Sequence, residues 1–132
     1  MSEKSGGDPG ELYVSGGGRI GRRVFVPALA LVILAFELYQ RLGSLVHWIT
    51  GWAVYPVLIC AAASVLSKRL HDRGRSGWWA ALVLLALALV WPEFRGGWAV
   101  LATPVMIWAV VELGLMAGEQ GANRFGPPPL AG

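Results

Sequence analysis

Four apolar runs separated by short polar joints constrain this chain more than any other feature. They cover residues 24–39, 46–67, 78–91 and 98–117 and contain only two carboxylates, Glu37 and Glu112, and no lysine or arginine. A 132-residue chain has room for one domain, and a soluble domain of that size has too much surface to hide so much Leu, Val, Ala and Trp. Its residues are 55% hydrophobic and 14% charged, against about 25% charged in an average globular domain. Lipid solvates the excess. The expected fold is all-α: a polytopic membrane protein, a bundle of four transmembrane helices with both termini cytoplasmic.

The runs differ in how well they fit a bilayer. The first follows Arg22 and Arg23 and carries Pro27 near its start, where a missing N–H costs little. Glu37 and Arg41 close it at a spacing of four, the favourable order for a helical pair. In the second, Trp48 and Trp52 mark one end and Lys68 and Arg69 the other, and Pro56 predicts a bend. Cys60, Ala63, Ser64 and Ser67 supply small residues for close helix contact. Cys60, the single cysteine, reads as a small buried residue. The third run is short: its fourteen residues rise about 21 Å at about 1.5 Å each, where a full span takes about 20 residues. Trp78 and Trp79 at one end and Trp91 at the other mimic interfacial belts, and no polar side chain stands between them. A crossing with local bilayer thinning is therefore expected.

Orientation follows from charge. With four crossings, nine of the eleven basic residues (Lys4, Arg19, Arg22, Arg23, Lys68, Arg69, Arg73, Arg75, Arg124) share one side, and Arg41 and Arg95 fall opposite. The richer side is cytoplasmic by the positive-inside rule. Residues 1–18, with six glycines, read as a flexible tail. Residues 118–132 read as a polar, Pro/Gly-rich tail, stiffened by prolines 127–129. The basic balance of +3 suits anionic headgroups. Nucleic acid is excluded as a partner, because no long basic stripe carries interleaved aromatics.

The densest polar stretch is 68–79. It predicts a hairpin in which the second helix runs on to Arg73 and Gly74 ends it in the left-handed region. Ser76 is placed to cap the third helix, and Asp72 to pair with Arg69 or Arg75. A helix start ringed by Arg69, Arg73 and Arg75, with Ser76 and the interfacial Trp78 and Trp79, is a candidate anion site for a lipid phosphate. His71 and Asp72 are adjacent and so do not face one another; with Gly74 and Gly77 they are assigned to the hairpin's structure. His71 and His47 sit near opposite membrane faces, so they share no metal. Glu112 lies inside the last run and calls for a partner, with Arg23, Arg69 and Arg75 at similar depth. No nucleophile, acid–base pair or metal set stands out, so neither an enzyme nor a cofactor is expected.

Three stretches carry a family resemblance: Gly18-Arg19-Ile20-Gly21-Arg22-Arg23, the unbroken Arg69 to Trp79, and Asn123-Arg124-Phe125-Gly126. They resemble the domain-of-unknown-function family 805, small bacterial inner-membrane proteins whose hallmark is similar to R-L-H-D-x-G-x-S-G-W-W. The likeness covers about residues 17–129. It departs at Val26, where relatives commonly carry an aromatic, and at Pro128, where they often carry Asp. It implies an inner-membrane location and lends no activity. In the four-crossing arrangement all three stretches are cytoplasmic, so Arg22, Arg23, the 69–76 hairpin, Asn123 and Arg124 are expected to assemble as one basic cap. The leading expectation is a membrane-embedded binding or scaffold protein whose cap engages anionic lipid or a partner, whether a second copy or another membrane protein. The alternative is an oligomeric transporter or channel component using Glu112 and the cap.

Overall fold

The computed structural model describes residue 13 and residues 17–90 and 96–129. Among the described residues the main helices are α1 Arg22–Gln40, α2 Ser44–Asp72, α3 Trp79–Val90 and α4 Gly96–Ala109, the last continuing into a π-helical stretch, Val110–Leu115. No strand occurs among the described residues. Three helices are long and apolar enough to cross a membrane: α1, α2 and Gly96–Leu115. The 12 residues of α3 rise only about 18 Å, short of a hydrocarbon layer about 30 Å thick. Trp91 and Arg95, expected at the joint after it, lie outside the described residues, as do Lys4 and most of the N-terminal tail.

The helices pair as two hairpins. Arg41 N–H and Leu42 N–H turn back to the carbonyls of Leu38 and Tyr39, closing α1. Across that turn, Tyr39 Oη lies 2.9 Å from Thr50 Oγ1, and Tyr55 Oη donates to Gln40 Oε1 at 2.9 Å. At the other end of the pair, Ile20 N–H reaches the Lys68 carbonyl. α1 and α2 are therefore antiparallel. In the second hairpin the ring of Trp79, at the start of α3, lies 5.7 Å from that of Trp108, near the end of α4. The α1 start, the α2 end, the α3 start and the α4 end all meet at one end of the bundle.

Small residues make that packing close. Ala28, Ala62, Ser64, Ala80, Ala86, Ala99, Ala102 and Ala109 are buried among Phe25, Val65, Leu66, Leu70, Val83 and Leu113. Lipid tails are as apolar as Leu, so helix association in a membrane rests on such contacts rather than on hiding oil from water. The large side chains point outward: Trp48, Trp52, Trp78 and Trp98 are each more than two-thirds exposed.

Several expectations change here. Cys60 is exposed on the outer face of α2, not buried, and Ser64 is the member of that small-residue series in the interior. Glu37 and Arg41 make no ion pair among the described residues; α1 ends at Gln40, and an exposed pair there would gain little. The final helix gives way to the π stretch and ends at Leu115, before residue 117. Residues 118–129 do not trail away as a free tail. They fold back across the end of the bundle where the helices meet.

The hairpin after α2 is set by Gly74. Its φ of +75° places it in the left-handed region open to glycine at least cost. Gly74 N–H then bonds the His71 carbonyl and Arg75 N–H the Leu70 carbonyl, the paired bonds of a Schellman ending. Ser76 Oγ accepts from Trp78 N–H at 3.3 Å as α3 begins.

Candidate functional site: an arginine-braced cap

A helix end leaves its last carbonyls without partners in the helix, and here arginines take two of them, on Leu113 and Leu115, and the next two along the chain, on Met116 and Ala117. In the π stretch Met116 N–H reaches back five residues to the Val111 carbonyl. Arg69 Nε donates to the Leu113 carbonyl at 2.6 Å, and Arg22 Nη1 to that of Leu115 at 2.6 Å. Arg69 Nη2 takes the Met116 carbonyl and Arg73 Nη1 that of Ala117. Positive charge at a helix C-terminus also complements the helix dipole.

Asp72 is the hub beneath. Arg19 approaches it from the N-terminal segment, with Nε at 3.1 Å and Nη2 at 2.9 Å from Oδ1. Arg69, one turn back on α2, bonds Oδ2 through Nη1. Both guanidiniums are fully buried and the carboxylate nearly so. The remaining Arg19 donors go to the C-terminal segment: Nη2 to the Glu119 carbonyl at 2.6 Å, and Nη1 to those of Gly121 at 2.8 Å and Gly126 at 3.2 Å. All five N–H groups of Arg19 are thereby used.

A second carboxylate is shared in the same way. Glu112 Oε1 lies 3.0 Å from Arg73 Nη2 and 3.1 Å from Arg75 Nε, and Arg75 also covers the rings of Trp79 and Trp108. The partners of Glu112 are Arg73 and Arg75, whereas Arg69 and Asp72 belong to the other cluster and Arg23 is exposed. Among the described residues, each cluster brings two guanidiniums onto one carboxylate.

The strap formed by 118–129 is seated by close approaches. Glu119 N–H donates to the Asp72 carbonyl at 2.7 Å. A Cβ on Gly118 would fall 1.8 Å from Asp72 Oδ2, and one on Gly74 would fall 2.2 Å from Glu119 Oε1. Asn123 Nδ2 bonds the His71 carbonyl at 2.9 Å, and Phe125 stacks on the His71 ring with centroids 3.9 Å apart. His71 Nδ1 donates to the Gly18 carbonyl at 2.9 Å, which leaves Nε2 unprotonated in the neutral ring. Gly77 closes over it: a Cβ there would meet Ser67 Oγ at 2.9 Å and His71 Nε2 at 3.3 Å. α2, at 29 residues, rises about 43 Å, more than a hydrocarbon layer about 30 Å thick, and its charged last turn follows the apolar run 46–67. There, burial pushes the His71 imidazole below its ordinary pKa, the Gly18 hydrogen bond opposes that, and Arg124 adds to it.

The candidate anion residues thus meet different fates. Arg69 and Arg73 spend their donors on internal acceptors, and Arg75 gives Nε to Glu112. Arg22 is exposed and uses one terminal nitrogen; Arg23 and Arg124 are exposed, Arg124 lying over the Phe125 ring. Trp78 is 85% exposed at the same end. Arg19, Glu119 and Phe125 stand at the centre of the cap although no site was assigned to them from sequence. Their signal was present for Arg19 and Phe125, which lie in the two short matching stretches at either end of the chain.

Residues 13–127 match the model of a family described as a protein of unknown function, DUF805. The chain belongs to that family. The YiiR protein of Escherichia coli strain K12, named as uncharacterized, is 34% identical, the match covering 83% of this chain and 82% of YiiR. YhaH of the same strain, named an inner membrane protein, is 29% identical over 89% of this chain and 88% of its own length. No solved structure matches. Family membership, the name of YhaH and three long apolar helices together identify this DUF805 chain as an integral membrane protein.

Proposed function

We propose that this is a four-crossing inner-membrane protein whose cytoplasmic cap binds anionic lipid through an exposed rim of Arg22, Arg23 and Arg124. The observation that carries the reading is the division of labour among the arginines. The four at the centre (Arg19, Arg69, Arg73, Arg75) are held by carboxylates and carbonyls, while Arg22, Arg23 and Arg124 are exposed, as is Trp78 at the same end of the bundle. Such arginines and an interfacial tryptophan suit the headgroup layer, where each basic residue contributes about 1 kcal/mol of attraction to an anionic surface.

Four crossings are supported by the antiparallel hairpins. α4 is long enough to span, and α3 returns beside it to the same end of the bundle, with thinning making up for its length. In that arrangement Arg75 and Arg124 share one side, and the basic excess there supports reading it as cytoplasmic. Two measurements test the proposal. Cysteines at positions 75 and 124 are expected to be protected from an impermeant thiol reagent added from the periplasm; labelling of 124 with 75 protected would refute the topology. Replacing Arg23 and Arg124 by Gln is expected to reduce the phosphatidylglycerol retained in native mass spectra by several-fold. Unchanged retention would refute the rim.

A further inference from the structure

The central cluster brings two buried guanidiniums together, which the rim does not explain. Among the described residues Asp72 is the one carboxylate that Arg19 and Arg69 bond, and their other bonded acceptors are carbonyls. The acceptors of the two arginines come from different places. Those of Arg69, apart from Asp72, belong to Ile20, Leu113 and Met116. Those of Arg19 are three carbonyls of the C-terminal strap, from Glu119, Gly121 and Gly126, converging on its two terminal nitrogens. We infer that this strap covers a phosphate-binding site on Arg19, its three carbonyl oxygens standing where the oxygens of a phosphate group dock.

Three features suit the strap to that exchange. A planar guanidinium matches phosphate in a paired fork, and a phosphate brings the full negative charge that carbonyls lack. The strap is held mainly by polar contacts, the His71–Phe125 stack being its aromatic anchor, and Glu119, Gln120, Gly121, Ala122 and Arg124 are exposed. Segments with few buried apolar contacts open at small cost. Its own charges, Glu119 and Arg124, cancel, and release leaves Asp72, Arg69 and their α4 partners in place. The site is thus separable from Arg23 of the rim.

The test follows amide hydrogen exchange at Glu119, Asn123 and Gly126 in the full chain, in nanodiscs. Phosphatidylglycerol discs are expected to speed exchange at these amides by about tenfold over phosphatidylcholine discs, as the strap is displaced. A matching rise on adding inorganic phosphate to phosphatidylcholine discs would assign the site to a soluble phosphate instead of a headgroup. No rise with either overturns the inference. Arg19→Lys, which keeps charge but loses the fork, is expected to abolish the rise. Should that variant fold poorly, Phe125→Ala loosens the strap without touching Arg19, and it should raise retention of phosphatidylglycerol or phosphate several-fold; unchanged retention of both overturns the inference. Arg23→Gln, which lies outside the strap, lowers total lipid retention but leaves the exchange response intact, so loss of the rim and loss of the covered site read out separately.

Discussion

Replacing Asp72 by Asn removes a charge while keeping nearly the same volume, and the cap's geometry sets the cost. Asp72 accepts two hydrogen bonds from Arg19 and one from Arg69, both guanidiniums being fully buried and the carboxylate 3% exposed. Without it the two guanidiniums lose the carboxylate they share and keep carbonyl acceptors, and the new amide turns donors toward donors. Removing one partner of a buried pair costs about 3–5 kcal/mol. Glu112→Gln provides the internal comparison. Glu112 also bridges two arginines, but the Arg73 side chain is 18% exposed and that of Arg75 38%, so solvent screens the loss and about 1 kcal/mol is expected. Reversible unfolding in mixed micelles, followed by tryptophan fluorescence, would measure both. The result expected is a loss several times larger for Asp72→Asn than for Glu112→Gln, partly restored by adding Arg19→Gln. Equal losses, or a loss below about 1 kcal/mol for Asp72→Asn, would refute the assignment of the buried cluster as the main brace of the cap.

Two further outcomes follow from the same contacts. Gly118→Ala would put a Cβ 1.8 Å from Asp72 Oδ2, so the strap must shift; a loss of about 1–3 kcal/mol and easier proteolysis after residue 117 are expected, and unchanged proteolysis would count against the docked strap. His71 has a lowered pKa in the folded chain, from burial first and Arg124 next, against the Gly18 bond, so the unfolded state takes up protons more readily. Stability is therefore expected to be level above the unfolded value near 6.5 and to fall as pH drops through it, with His71→Asn removing that part of the dependence in the same unfolding assay.

The apolar runs, the placement of Gly74 and the gathering of basic stretches near the ends of those runs were legible because they depend on local chemistry. Hydropathy marks what lipid tolerates, and only glycine meets a left-handed ending at little cost. Arg69 to Trp79 likewise identified the hairpin, since a helix end, a turn and a helix start need few residues. The partners of the charges were legible only in part: Arg69 for Asp72 and Arg75 for Glu112 were among the expected pairs, while Arg19 and Arg73 were not. Asp72 was assigned to its own hairpin, yet it also binds Arg19, 53 positions away. Glu112 selected Arg73 and Arg75 only once α3 and α4 lay side by side.

The sequence by itself determined a helical membrane chain with a glycine-ended hairpin, because burial in lipid and backbone freedom are properties of a residue and its neighbours. Tertiary structure alone decided that Arg19, Arg69 and Asp72 form one buried cluster, that α4 ends against arginines, and that residues 118–129 close over them. A charge in a crowded interior binds whatever acceptor the packing brings within 3 Å or so, and spacing along the chain carries no record of that distance.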